Sequence, residues 1–475
     1  MIETTRLPSK KLEEAGRPVR LIQYLGSKLN VLDQIIPDIK SELPYGGTCV
    51  DLFAGTTVIG QSLTNHSSIL SNDCLRFSRL FSDVLVVGPK DKPAEVPLPK
   101  LSRITESKHY SNNLEMLNAV YAEALAAEEA ILRAGDKKGL GEFCETLPTW
   151  WKDEKHWLEY GKIRNFINEL DLVAKRKIPS SFPACLFTTY YAGNYFGLKQ
   201  AIEIDSTRFA VERLRAEGQL TDWQAKAVLV ALIAASSRAV GSAGKHFAQP
   251  LIIHGSTQRL FALERVLSDR MISIATEMQA AMDTIDSKAS PPRFPGKSFL
   301  VYFETLVDTA KKKGATTAFK EFFHVDRVDC IYADPPYTAQ QYSRFYHVLE
   351  TLVLYDYPPI QTHPLRSGGF TQGLYREHRH KSPFCSRSAA KDVFEALFLI
   401  ASQVSNSLIL SYSSTNNGSG NPRMIDTETI LKLGKKYFRE ITEKTIRHRY
   451  RKLNREEKNK RGNDPEKLYI FRGMR

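Results

Sequence analysis

The sequence predicts an α/β protein with a mixed sheet, whose strands come from two separate blocks of chain divided by a large helical insertion. Three observations predict it. Short apolar strands alternate with helices before residue 88 and again after residue 298. The roughly 200 residues between them carry helical periodicity, far more chain than an ordinary connection. Proline clusters bound that region, Gly88–Lys100 with four prolines on one side and Ser290–Pro295 on the other. The division is a flexible basic tail (1–20), a first α/β block (21–87), the helical insertion (88–298) and a second α/β block (299–475). A chain of 475 residues is long enough for one large domain with an insertion, or for two domains.

Taken in order, Gly47–Phe53 is a short apolar strand, Val58–Leu63 opens a helix and Ser68–Asn72 is a weaker second strand. In the insertion the clearest helix starts at Thr221, where Thr-Asp-Trp-Gln supplies a capping box ahead of the apolar run Ala225–Ala235. Thr257–Ile285 has the periodicity of one further long helix. In the second block Phe299–Phe303, Val328–Ala333 and Ser407–Ser413 are strands, and Ala389–Val404 is an apolar helix. Thr445–Lys452 and Leu468–Phe471 are expected to pair as an antiparallel hairpin around a basic loop.

Composition narrows the function classes. Hydrophobic residues at 42% and charged residues at 25% are ordinary globular values. A formal net charge of +13 fits a polyanionic partner, because clustered Lys and Arg replace counterions on a phosphate backbone. Charge alone fits a merely basic protein equally well. The six cysteines are scattered, with no C-x-x-C pair and no histidine at metal spacing. A disulfide framework, structural zinc and any other metal site are therefore not expected, and a reducing interior is. Met1–Arg20 lacks the apolar core of a signal peptide, and no apolar run approaches the length of a membrane span. The expectation is a soluble intracellular protein with no membrane partner.

The sharpest chemical signal is Ile331-Tyr332-Ala333-Asp334-Pro335-Pro336-Tyr337. Ligand sites of open α/β sheets lie beyond the carboxyl ends of strands, where Asp334, Pro335, Pro336 and Tyr337 fall. A planar amino group needs acceptors for its two protons. The Asp334 carboxylate can take one and the Pro335 carbonyl the other, and proline adds no competing N–H donor. Tyr337 offers a flat face on which an extruded base can stack, at roughly 1–3 kcal/mol per base. By itself the motif is also just a strand followed by a Pro-Pro turn.

A second signal is Asp51-Leu52-Phe53-Ala54-Gly55-Thr56-Thr57-Val58-Ile59-Gly60, between a strand and a helix. Glycine lets backbone approach a ligand closely, and helix N-terminal N–H groups favour an anion. The spacing is not the dinucleotide G-x-G-x-x-G, which speaks against a pyrophosphate ligand. Asp73, about twenty residues after the strand, stands where such folds bind ribose hydroxyls. The third signal, Tyr24-Leu25-Gly26-Ser27-Lys28, is either a carboxylate-holding turn or a surface turn.

Together, in this order, these segments resemble the alpha-group DNA adenine-N6 methyltransferases, the class of the Dam-type enzymes. Tyr24–Lys28 is similar to the family's N-terminal cofactor segment, Asp51–Gly60 to its Phe-x-Gly loop, and Asp334–Tyr337 to its catalytic motif. The resemblance covers residues 21–85 and 299–475, about half the chain. It implies a SAM-dependent methyltransferase (Rossmann-like) sheet ending in an antiparallel hairpin, with S-adenosyl-L-methionine as cofactor. Tyr24, Gly26, Lys28, Asp51, Phe53, Gly55 and Asp73 would hold it. Val301–Ala310 resembles the segment whose acid, here Asp308, helps hold the cofactor's adenine. The implied reaction is in-line transfer of methyl to N6 of an adenine rotated out of double-stranded DNA. The implied setting is restriction-modification or related defence, in the cytoplasm of a prokaryote or encoded by a phage, with a cognate restriction endonuclease as a further partner. Where many relatives have a second glycine, this chain has Thr57, so the loop is expected to keep ordinary dihedrals there.

Further segments point to DNA. Gln341–Thr351 resembles the stretch next to the motif in a subset of these enzymes, with Tyr342 and Arg344 placed to meet DNA and His347 read as a core histidine. Tyr190–Gln200 and Gly244–Leu251, which includes Lys245, either pack a core or line a DNA groove. Arg447–Arg461 holds eight Lys or Arg residues against two glutamates, and Arg455, Lys458, Lys460 and Arg461 are its candidate phosphate contacts. Two rival readings stay open: an amino methyltransferase acting on cytosine N4 or on RNA, and a DNA-binding module with a decayed catalytic core.

Overall fold

Each apolar strand of the two blocks joins one sheet. The computed structural model describes residues 18–89, 97–152, 160–174, 182–363, 369–413, 423–446 and 466–474. The strands are β1 (Thr48–Asp51), β2 (Ser68–Asn72), β3 (Lys297–Phe299), β4 (Val328–Ala333), β5 (Ser405–Ser413), β6 (Phe438–Ile446) and β7 (Glu466–Met474). Their order is β3-β2-β1-β4-β5-β7-β6, parallel from β3 to β5, with β7 antiparallel to both β5 and β6. This is the Rossmann-like sheet with an antiparallel hairpin that the resemblance implies. Chain order reverses between β1 and β4, which creates the crevice where such sheets bind ligands.

Alternation along the strands explains why both faces are covered. Cys49, Ile69, Cys330, Tyr332 and Ile409 point to a core shared with Ile35 and Ile39 of the helix Leu32–Glu42 and with Ile59 and Leu63. Their neighbours Val50, Leu70, Ile331 and Leu408 point the other way, onto the helices Phe303–Lys313, Ala315–Phe323 and Arg387–Val404. Burial on both faces is what parallel strands require, and it makes them read as apolar runs.

The capping box at Thr221 forms. Thr221 Oγ1 accepts from the Gln224 N–H at 3.2 Å, and Gln224 Oε1 accepts from the Thr221 N–H at 3.0 Å. The helix behind it, Asp222–Ala239, is buried nearly all round and forms the axis of the helical region.

Four expectations are corrected. Thr257–Ile285 is two helices, Leu260–Arg270 and Ile274–Lys288, because Ser273 caps the second through its Oγ. Phe299–Phe303 is not a strand. β3 ends at Phe299, the Asn72 amide takes the Val301 N–H and C=O at 2.9 and 3.2 Å, and a helix begins at Phe303. β3 also begins two residues inside the assigned insertion. Val19, assigned to the 1–20 tail, is instead buried and exchanges two backbone hydrogen bonds with the Gln61 amide, at 2.9 and 3.0 Å; residues 1–17 lie outside the described residues. The hairpin forms from β6 and β7, and 447–465, with the basic loop, lie outside the described residues.

The helical region shares its core with both α/β blocks. Val228 and Leu232 belong to the same buried cluster as Phe77, Phe81 and Val84 from the first block and Tyr346, Val348 and Leu349 from the second. All six cysteines are free thiols. Among the described residues no helix is long and apolar enough to cross a membrane, and no group of three or more His, Cys, Asp or Glu is placed to hold a metal.

Candidate active site

The carboxyl ends of β1, β2 and β4 bring three of the predicted segments together. At the end of β1 the chain turns through Gly55 at φ +52°, where an added Cβ would lie 2.7 Å from the Tyr24 ring. Only glycine permits that approach. Asp73, just past β2, accepts from the Gly55 N–H with Oδ2 and from the Leu75 N–H with Oδ1, both at 2.9 Å. It therefore shapes the loop. Ser78 Oγ donates to the Gly55 carbonyl at 2.5 Å.

Thr57 corrects an expectation. Its φ is +64°, the left-handed region that a β-branched residue disfavours. The buried surroundings hold it there. Its N–H donates to Ala54 O at 2.7 Å, and its Oγ1 accepts from Gln61 Nε2 at 3.0 Å. Such a conformation costs about 1–3 kcal/mol, offset by the bonds around it.

Tyr24–Lys28 lies against this loop and is held from the other side by residues just after the motif. Leu25 N–H donates to Tyr346 Oη at 2.8 Å, and Tyr342 Oη donates to Leu25 O at 3.1 Å. Tyr24 stacks on Tyr346, with ring centroids 4.8 Å apart. Gly26, at φ +74°, has the Tyr342 hydroxyl 2.9 Å from where a Cβ would be. Tyr342 is thus committed to the crevice wall rather than to an outward DNA contact.

Lys28 departs most from its expected role. Its ammonium is buried and lies 2.5 Å from Asp334 Oδ2, 2.7 Å from Glu466 Oε1 and 3.2 Å from Gly26 O. Burial pushes the Asp334 carboxyl up to about 6, with Lys28 pulling it down and Glu466 pushing it up. Asp51, buried at the end of β1, is pushed to about 8 by desolvation and by the Asp334 and Asp73 charges. Its Oδ1 has no hydrogen-bond partner among the described residues.

Around Asp334, Pro335 is buried, while Pro336 and Tyr337 are half-buried. The Arg423 guanidinium lies 4.7 Å from the Tyr337 ring centroid, and Tyr412 meets the same ring edge-on at 5.3 Å. Phe53 is half-buried, with Phe384 at 5.3 Å and Phe303 at 6.1 Å. Asp308 is exposed on the helix Phe303–Lys313. One turn earlier stands Glu304, which bonds His380 Nε2 at 2.7 Å and keeps a buried Oε2 without a hydrogen-bond partner among the described residues. Of these two acids, Glu304 rather than Asp308 has a buried oxygen.

The remaining candidates divide. The three N–H groups of the Lys245 ammonium are taken by Arg238 O, Val240 O and Asp269 Oδ1 at 2.8, 2.9 and 2.6 Å, which gives it to the fold rather than to a phosphate. Tyr190–Phe196 is buried, and Tyr195 Oη bridges Phe247 O and Gly373 O, so both aromatic segments pack a core. His347 is a core histidine as expected, bonded to Phe247 O at 3.1 Å and pushed down to about 3 by burial. Arg344 is half-buried, its guanidinium 5.9 Å from the Tyr375 ring, with Arg379 at 5.0 Å from the same ring. Arg455, Lys458, Lys460 and Arg461 lie outside the described residues.

Sequence reasoning missed Glu466, Arg423 and Glu304. Glu466 carried one faint signal, an acid directly before an apolar strand in a strongly basic stretch.

A family model described as D12 class N6 adenine-specific DNA methyltransferase matches residues 24–141 and 297–367. The chain is 22% identical over 377 residues to the modification methylase LlaI of Lactococcus lactis subsp. lactis, covering 79% of this chain and 44% of that protein. It is 23% identical over 394 residues to the type II methyltransferase M.FokI of Planomicrobium okeanokoites, covering 83% and 44%. A 69-residue stretch is 44% identical to the type II methyltransferase M.NlaIII of Neisseria lactamica, covering 14% and 18%. The chain thus spans less than half the length of the first two relatives. No solved structure matches it significantly. By sequence, and by the residues gathered at this crevice, residues 24–141 and 297–367 are similar to the D12 class N6 adenine-specific DNA methyltransferases.

Proposed function

We propose that the chain is a site-specific DNA methyltransferase that transfers methyl from S-adenosyl-L-methionine to N6 of an adenine rotated out of the duplex, in a restriction-modification or related defence system. The observation that carries the reading is Asp334-Pro335-Pro336-Tyr337 at the end of β4, beside the loops after β1 and β2. Asp334 and the Pro335 carbonyl accept the two amine protons, and Tyr337 stacks on the base. The cytoplasm of a prokaryote is the matching compartment, and a cognate endonuclease is the expected partner.

The crevice residues fit the cofactor. The unpartnered Asp51 Oδ1 and Glu304 Oε2 are buried acceptors, and the three acids Asp51, Asp73 and Asp334 suit a ligand that carries positive charge. Asp51, Phe53, Gly55, Asp73 and Glu304 would hold it. When bound, it supplies an electrophilic methyl group on a sulfonium.

Incubation with labelled cofactor and unmethylated DNA, followed by digestion to nucleosides, tests the reading. N6-methyladenine is expected. N4-methylcytosine or methylated RNA would establish the first rival instead, and absence of cofactor binding by calorimetry would favour a decayed module.

Two predictions concern DNA. Replacing Arg455, Lys458, Lys460 and Arg461 with serine should weaken binding to all sequences alike. The slope of log affinity on log salt should fall by about 0.9 for each phosphate the variant no longer neutralises. An unchanged slope would leave that stretch a solvated surface. For sequence specificity we assign the helical region, whose length and side chains suit groove readout. Because its core runs into Phe77, Phe81 and Tyr346, a chimera joined only at the proline clusters should fold poorly. One in which those contacting residues travel with the region should methylate the donor's target. An active chimera that kept the original target would move recognition to 360–387.

A further inference from the structure

We propose that Glu466 is a positioning residue for Asp334. Through Lys28 it anchors one Asp334 oxygen, and by sharing the ammonium it preserves negative charge on Asp334 where the amine nitrogen becomes positive. The proposal rests on the reading of the crevice as an amino methyltransferase site.

The geometry starts with strand direction. β7 runs antiparallel to β5, so its first residue lands beside the carboxyl ends of the parallel strands, with Glu466 opposite Ser413. Ser411 Oγ fixes Glu466 Oε1 at 2.5 Å, and the same oxygen lies 2.7 Å from Lys28 Nζ. Glu466 is wholly buried and Lys28 is 3% exposed, whereas Asp334 keeps 18% of its side chain open. A buried ammonium and two buried carboxylates are costly to desolvate, and removing one member leaves an uncompensated charge.

Charge counting gives the arrangement a use. Lys28 and Asp334 alone would cancel, leaving a weak acceptor for an amine. With Glu466, two carboxylates share the Lys28 ammonium, so it does not cancel the Asp334 charge outright. An amine nitrogen that gains a methyl carries positive charge until it sheds a proton, and a preorganised anionic site favours that charge. Lys28 and Glu466 act on the Asp334 charge directly. Among the described residues, Asp51 at the end of β1, Tyr332 on β4, and Tyr337 and Tyr342 beyond it are the other titratable groups that interact with it, and Arg423 lies against the Tyr337 ring.

The test is a pH–rate profile of methyl transfer, paired with a carbon-13 NMR titration of the Asp334 carboxyl in the protein alone. Glu466→Gln keeps the shape and removes a negative charge. It should move the acid limb down by about one pH unit and lower kcat by about tenfold or more, with KM for the cofactor little changed. Lys28→Met should move the limb up, and Glu466→Asp should restore most of the wild-type profile. A lower unfolding midpoint in Glu466→Gln, with limb and kcat unmoved, would make Glu466 merely structural and overturn the proposal. If Glu466→Gln fails to fold, Lys28→Met and Glu466→Asp decide, and an unmoved limb in Lys28→Met overturns it. Should the wild type transfer no methyl to DNA, the functional reading fails. The NMR titration then still judges the cluster by whether Lys28→Met and Glu466→Gln shift Asp334 in opposite directions.

Discussion

Asp334→Ala is expected to slow methyl transfer by about a hundredfold to a thousandfold, the usual scale for removing one preorganised group at a reacting centre. Cofactor affinity by calorimetry should stay close to wild type, because Asp51, Asp73 and Gly55 remain. The fold should persist as well, since the Lys28 ammonium keeps Glu466 at 2.7 Å. Asp334→Asn keeps one acceptor and should retain more activity. The wild type should share the requirement as a pH dependence. Asp334 must be ionised to accept the amine proton, and burial raises its carboxyl to about 6. The rate should therefore be level above pH 7 and fall about tenfold per unit well below 6. Wild-type turnover in Asp334→Ala would remove the assignment.

Asp205→Ala should be among the most destabilising single changes in the helical region, at about 3–5 kcal/mol. The wholly buried Asp205 carboxylate accepts from Phe187 N–H at 2.9 Å, Thr188 N–H at 2.8 Å, Thr188 Oγ1 at 2.7 Å and the Tyr355 hydroxyl. It thereby ties the helices Leu186–Tyr190 and Leu198–Ala216 to the chain beyond the catalytic motif. Alanine leaves those donors buried without an acceptor. Urea denaturation checks the magnitude, and a loss under 1 kcal/mol would mean the donors find other partners. Asp205→Asn should cost less, because its carbonyl still accepts.

The strands are legible in sequence where both faces are buried, as in Val328–Ala333 and Ser68–Asn72, because an apolar run between turns has few alternatives. Lys297–Phe299 reads poorly because it opens on a charged residue and Asn72 ends it early. The break at Met271–Ser273 is hidden because apolar spacing continues across it, while a single serine cap decides it.

At the site, the sequence alone determined the motif Asp334–Tyr337, the Asp51–Gly60 loop and Asp73, because each is local chemistry at the end of an apolar strand. It also determined that the two α/β blocks belong to one sheet. Only the tertiary structure decided what those residues touch. Lys28 and Glu466 are separated by nearly the whole chain, and the antiparallel return of β7 brings Glu466 to the same ammonium that meets Asp334. Thr57 takes φ +64° because buried hydrogen bonds overrule its local preference. Glu304 carries a buried oxygen while Asp308, one helical turn on, is exposed, a difference that helix phase against the neighbouring chain sets. Local propensity and strand-end chemistry act over a few residues and are written in order. Pairings between distant side chains depend on how strands are ordered and which way they run, and that is set by burying the whole sheet at once.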